Sequence, residues 1–161
     1  MKAFLAFLLF LSLPFALKAG GDGVRVYKGA SRFTTDVICT VRDGKVYKET
    51  SSFSSDILFT VRENRVHKGT SSFSSDVVFT VRERKVYAGT SSFTSDILFT
   101  VRDGRIFRGT SSFTRDVVAT VRGGRVYEGT SAFQRDILFT IDGYLTLEEL
   151  VAVWYAFLSV R

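Results

Sequence analysis

The chain has 161 residues, 45% of them hydrophobic and 24% charged, which bounds it to one domain of ordinary globular size. Its 22 Lys and Arg against 16 Asp and Glu give a formal net charge of +6, with acids and bases interleaved rather than gathered into a basic or acidic block. A single cysteine, Cys39, excludes an internal disulfide.

The chain opens with MKAFLAFLLFLSLPFALKA, in which Lys2 precedes an apolar run over residues 3–13, followed by Pro14 and small residues at Ala16 and Ala19. A basic start, a short apolar middle and a small-residue end form the pattern of a secretory signal peptide. The apolar run is shorter than the ~20 residues a spanning helix requires, so cleavage after Ala19 is expected rather than a retained anchor. This reading divides the chain into a signal peptide at 1–19 and a single repeat domain at 20–161, secreted or periplasmic. Cleavage removes Lys2 and Lys18, so the charge falls from +6 to +4.

From residue 23 to 143 the sequence repeats every twenty residues without a gap, in six copies. The second unit reads DGKVYKETSSFSSDILFTVR. Such a period indicates a repeat architecture in which each unit is one supersecondary element. DILFTVR, rich in branched and aromatic residues, predicts a strand, with Ile57, Phe59 and Val61 on one face and Leu58, Thr60 and Arg62 on the other. A shorter strand of the type RVYKG, RVHKG at 65–69 after this DILFTVR, follows two residues that predict a hairpin turn: Asp43-Gly44, Glu63-Asn64, Glu83-Arg84, Asp103-Gly104 and Gly123-Gly124. Glu83-Arg84 lacks residues suited to positive φ, so a wider turn is expected there. A two-residue turn sets Val101 opposite Ile106, Thr100 opposite Phe107 and Arg102 opposite Arg105.

The other connection, GTSSFTS or a variant, offers serine and threonine hydroxyls to loose backbone groups. Its central phenylalanine (Phe33, Phe53, Phe73, Phe93, Phe113, Phe133) is apolar enough to be expected to fold back over the sheet, against the residues equivalent to Leu58. Cys39 stands where later copies have Phe59, Phe79, Phe99 and Phe139, and reads as a core filler.

Two assemblies compete. A parallel solenoid would stack Asp36, Asp56, Asp76, Asp96, Asp116 and Asp136 at ~4.8 Å, and the equivalents of Arg42 likewise, with repulsion of about 0.9 kcal/mol per pair even in water. In an antiparallel meander equivalents lie two strands apart, about 9.6 Å, beyond the ~8 Å Debye length. The meander is favoured, and twelve strands exceed the ~10 at which open sheets curl or close.

The repeat breaks after Asp142-Gly143. Thr146 and Glu149 form a capping box that starts a helix at about 146–159, with Leu147, Leu150, Val151, Trp154 and Phe157 on one face and Ala152, Val153 and Ala156 making most of the rest apolar. A helix apolar nearly all round is buried, and this one reads as a plug or cap, or else as a dimer contact. The fold class is therefore all-β: six tandem 20-residue β-hairpin repeats in a curled or closed, mainly antiparallel assembly, with one buried C-terminal α-helix.

The series Val46-Tyr47, Ser51-Ser52, Ser55-Asp56-Ile57, continued to Val126-Tyr127 and Asp136-Ile137, resembles the repeat of the septoil-knot domain family. That repeat alternates an aliphatic–aromatic pair, a polar turn with serine, and a small residue–Asp–aliphatic step. The resemblance implies a wrapped, knotted all-β chain, and this sequence departs from it by an extra Asp-Gly turn per unit and by the loop phenylalanine. DGRIFRG (103–109) and GGRVYEG (123–129) are similar to the hairpin half of MORN repeats, which implies membrane or protein contacts. The paired glycines of the other half of that repeat are missing, and the period is shorter.

Chemistry is sparse. His67 replaces the tyrosine of its repeat, Cys39 has no histidine to pair with, and no phosphate-binding glycine loop, zinc spacing or nucleophile elbow occurs. No catalytic residue, cofactor or metal is assigned. One aspartate per twenty residues is thin for calcium, so the aspartates are expected to accept hydrogen bonds from Ser and Thr hydroxyls.

The hairpin tips RDGK, RENR, RERK, RDGR and RGGR are basic, and Arg42, Arg62, Arg82, Arg102, Arg105, Arg122 and Arg125 are the candidate binding residues. Gathered on one rim, they would attract acidic glycan, lipid headgroups or an acidic surface protein. Nucleic acid does not suit an exported chain. The reading is an exported, non-enzymatic structural or recognition protein. A partner-binding or inhibitor module on the phenylalanine-loop side is one alternative, and a small secreted enzyme using Glu148, Glu149 or Tyr155 is another.

Overall fold

The computed structural model describes residues 22–159, so the expected signal peptide lies outside the described residues. Twelve strands run in chain order: β1 (Val24–Lys28), β2 (Val37–Arg42), β3 (Lys45–Lys48), β4 (Ile57–Arg62), β5 (Arg65–Lys68), β6 (Val77–Arg82), β7 (Lys85–Ala88), β8 (Ile97–Arg102), β9 (Arg105–Arg108), β10 (Val117–Arg122), β11 (Arg125–Glu128) and β12 (Ile137–Asp142). One helix, α1 (Leu147–Ser159), follows. Each strand pairs antiparallel with its sequence neighbours, and β1 pairs with β12 to close a barrel.

Up-and-down order sends alternate connections to opposite ends. The five tight turns lie on one rim, here the turn rim, together with the start of β1 and the end of β12. The six long connections, 29–36, 49–56, 69–76, 89–96, 109–116 and 129–136, leave from the other rim and are called petals one to six. The expected pairs Val101–Ile106, Thr100–Phe107 and Arg102–Arg105 all form. Glu83-Arg84 is corrected: it too is a two-residue turn, closed by Arg82 opposite Lys85, with φ of 48° and 62°. The flanking ladder imposes the geometry against the local preference of both residues.

Strand alternation fails at one place in each unit. Val46 pairs with Phe59 but Tyr47 pairs with Ile57, so Leu58 is a bulge, and the same shift recurs in the other five units. The Leu58 carbonyl accepts a bond from the Gly69 amide at 2.8 Å. Ile57 therefore lies on the outer face beside Tyr47, while Leu58, Phe59 and Val61 pack against the core, contrary to simple alternation. A bulge adds one residue to one strand and re-aims what precedes it.

Both faces of the wall are consequently buried. The inner core surrounds α1, whose Ala152, Val153 and Ala156 are fully enclosed. Thr146 and Glu149 cap the helix reciprocally, at 2.9 and 3.2 Å. The helix enters from the turn rim and packs along β2–β5. Tyr155 meets Phe79 edge-on at 4.2 Å, and Phe157 meets Phe139 at 5.2 Å. Trp154 stands 6.1 Å from Phe139 and lines a small apolar gap with Phe99 and Ile106. Ala119 is fully buried on β10, between the strands of Phe99 and Phe139, where a phenylalanine ring would have to displace packed neighbours. Cys39 is fully buried in the same core, and burial pushes its thiol up to about 12.

Returning three positions to the residue most common in the repeat gives opposite outcomes. Arg84 (φ 62°) replaces the glycine of three other turns, and Glu49 (φ 51°) replaces the glycine that opens every other petal. Arg84→Gly is expected to stabilise by about 1 kcal/mol and Glu49→Gly by about half that, because a left-handed backbone costs a side-chain-bearing residue about 1–2 kcal/mol while glycine loosens the unfolded chain. Ala119→Phe is expected to destabilise by about 1–3 kcal/mol through overpacking. Denaturant unfolding of the three variants measures all of these.

Candidate functional site

The seven candidate arginines all belong to the turn rim, on the last rung before each tight turn. There the ladder sets cation against cation: Arg42 opposite Lys45, Arg62 opposite Arg65, Arg82 opposite Lys85, Arg102 opposite Arg105, and Arg122 opposite Arg125. Like charges directly opposite destabilise a sheet. None of the seven lies within ion-pair distance of a carboxylate among the described residues; the ion pairs there use Arg25, Arg32, Arg115 and Arg135.

The arginines are not equivalent. The Arg42 guanidinium lies 4.8 Å from the Tyr47 ring centre and donates to the Ser51 carbonyl at 2.7 Å. Arg82 does the same with Tyr87 at 5.1 Å and Ser91 at 2.7 Å, and Arg102 covers Phe107 at 5.1 Å. Arg42 and Arg82 thus fasten petals two and four to the outer wall, a packing role that sequence reasoning did not assign to them. Arg62, Arg105, Arg122 and Arg125 remain exposed.

The petals stand against the outside of the wall. Thr40 donates through Oγ1 to the Glu49 carbonyl at 2.8 Å, and Thr60, Thr80, Thr100, Thr120 and Thr140 each repeat that bond to a petal glycine. Arg32 of petal one approaches Asp142 at the end of β12, 3.7 Å away. Within petal two, Ser51 Oγ donates to Asp56 Oδ2 at 2.5 Å and accepts from the Phe53 amide at 3.2 Å, while the Asp56 amide closes a turn on the Phe53 carbonyl at 3.1 Å. All six petals repeat this network, so the aspartates do accept serine hydroxyls as expected.

The petal phenylalanines do not fold over the sheet. Phe33, Phe53, Phe73, Phe93, Phe113 and Phe133 are 75, 71, 72, 73, 62 and 65% exposed. The outer face is covered instead by the petal backbone and by Tyr47 and its equivalents, which leaves no apolar site for the ring. Phe113 and Phe133 are the least exposed because Arg115 and Arg135 lie over them at 5.2 and 5.3 Å. Burial statistics for phenylalanine point the wrong way here, and only the serine- and threonine-rich flanks hinted at exposure.

The residues considered for an enzyme are engaged elsewhere. Glu149 caps α1, Glu148 lies in its first turn, and Tyr155 packs against Phe79. His67 is buried on the outer face, opposite Thr60. At the petal rim a cavity of about 630 Å³, with Phe157 among its walls, mixes Lys28 and Arg135 with Asp36 and Glu49. No group of three or more metal-ligating side chains assembles among the described residues.

Removing one petal carboxylate tests its role. Asp96→Ala is expected to destabilise by about 1–3 kcal/mol, the range for a charge-assisted hydrogen bond and an orphaned partner. Melting with and without calcium should show the same loss.

A crystal structure of a protein from Arabidopsis thaliana is similar to the chain at 20% identity, covering 86% of this chain and 91% of that one, with a TM-score of 0.47. No curated protein matches the sequence. Neither the septoil knot nor the MORN repeat is found; the family model that matches, over residues 26–154, describes a 6-fold beta flower protein. Six hairpins closed into one ring, each with an outward petal, fit that description, and the chain belongs to the 6-fold beta flower family.

Proposed function

We propose that the protein is an exported, non-enzymatic recognition scaffold whose turn rim binds anionic surfaces, acidic glycan or lipid headgroups. The observation that carries this reading is the set of five cation–cation rungs that the up-and-down order places on a single rim of the closed barrel. A cost repeated five times without a carboxylate partner suits an external anion spanning several rungs. Asp43, Glu63, Glu83 and Asp103 at the tips weaken the field but stand beyond ion-pair distance of these arginines. Export rests on the residue pattern of 1–19, and predicts a secreted or periplasmic protein that begins at Gly20.

The barrel suits rigid presentation rather than turnover. α1 occupies the interior up to the cavity at the petal rim, Tyr155 packs in the core and Glu149 caps the helix. The exposed petal phenylalanines give specific support to a second reading, a partner-binding module.

Binding to an acidic polysaccharide and to vesicles of anionic lipid, each measured over a range of salt, tests the rim. Affinity is expected to fall steeply and linearly on logarithmic axes as salt rises, as for any contact that releases counterions. The variant Arg62→Gln/Arg105→Gln/Arg122→Gln/Arg125→Gln should lose at least tenfold in affinity with an unchanged melting curve, whereas Arg42→Gln should also lower stability by freeing petal two. Absent or salt-insensitive binding by the parent protein would remove the proposal.

A further inference from the structure

We infer that petals two to four form a self-association surface through which one copy of the chain docks edge to edge on another. Each petal presents a large apolar side chain at the tip of a hydrogen-bonded loop. The backbone there is nearly invariant: at Phe33, Phe53, Phe73, Phe93, Phe113 and Phe133, φ lies between −78° and −84° and ψ between 141° and 144°. A ring on a loop already closed by hydrogen bonds gives up little backbone freedom when a partner covers it. Leaving it in water forgoes about 1.5–3 kcal/mol of burial per side chain.

The occupant follows from charge and symmetry. At the tips of petals two, three and four the exposed residues are Ser52, Phe53, Ser54 and Ser55 and their counterparts around Phe73 and Phe93, none of them charged; the exposed charged side chain of these petals, Glu49, lies at the start of petal two, away from the tip. The aspartates that follow the tips, Asp56, Asp76 and Asp96, are held by serine hydroxyls at 2.5 Å. Petals five, six and one, which are also neighbours because β1 closes on β12, each carry an arginine beside the ring: Arg115, Arg135 and Arg32. The petal tips are therefore divided into an uncharged half and a cationic half.

An anionic partner would choose the cationic half. The uncharged tips offer no charge by which to select an unlike partner, and they are also where the repulsion between two copies of a net-positive chain is weakest. Equivalent petals need no second, complementary surface, because a two-fold contact joins the same patch on both copies. The petals stand outside the wall and not across its mouth, so copies meet side by side with their turn rims left open. The contact is thus independent of the anion-binding reading.

Sedimentation velocity over a concentration series, with no anionic polymer or lipid present, tests the inference. The parent protein should show a weight-average mass that rises with concentration. Phe53→Ser/Phe73→Ser/Phe93→Ser should weaken association at least tenfold. The control Phe33→Ser/Phe113→Ser/Phe133→Ser should retain it, and both should keep the parent's circular dichroism and melting curve. A parent that stays monomeric at the highest attainable concentration overturns the inference, as does undiminished association of the first variant. Equal loss in both variants overturns the assignment to petals two to four, and association that requires an added polyanion overturns self-docking while leaving the rim proposal standing.

Discussion

Four residue pairs between β1 and β12, from Arg25–Asp142 to Lys28–Phe139, turn a ribbon of hairpins into a ring. Without them the sheet would have two unpaired edges, each a template for association with another chain. With them, inside and outside become distinct, and the edge of tight turns and the edge of petals, already separated by the up-and-down order, each close into a rim. The two ends of the sheet are about as far apart in sequence as the chain permits, so the energetic benefit of closing it comes only after a large loss of chain entropy. The core around α1 has to supply that difference.

A sixfold wall around one helix cannot be satisfied by six identical repeats. The departures from the repeat in the core meet that mismatch. Cys39 and Ala119 stand where the other units have phenylalanine, Trp154 packs near Phe139 and lines a gap with Phe99, and Phe59 and Phe79 close on Tyr155. Outside the wall the repeat is obeyed more closely, because each petal solves the same local problem. Its serine, aspartate and threonine satisfy the loop, and the bulge at Leu58 and its equivalents supplies the apolar residue beneath it. The wall is therefore buried on both sides although only one side faces the core.

That double burial separates structural from available residues. Arg42 and Arg82 hold petals, whereas Arg62, Arg105, Arg122 and Arg125 have no such task. The phenylalanines are excluded from the wall by the very petals that carry them. Two surfaces result: a cationic rim at one end, and a belt of apolar tips around the side.

The amino-acid sequence by itself determined the unit. The twenty-residue period, the two-residue turns, the pairing of Arg102 with Arg105, the serine–aspartate bonds, and a helix capped by Thr146 and Glu149 are all set by interactions within about twenty residues, and local chemistry suffices to read them. Tertiary structure decided the rest. Glu83-Arg84 adopts a tight turn because the ladder on both sides outweighs its preference, and Ile57 changes face because a bulge is set by the register with the neighbouring strand. Phe53 stays in water because the petal backbone already occupies the space it would need. Each of these depends on contacts beyond the segment itself, and the closure that fixes them joins residues 25–28 to residues 139–142, a separation at which no sequence pattern records which strands meet.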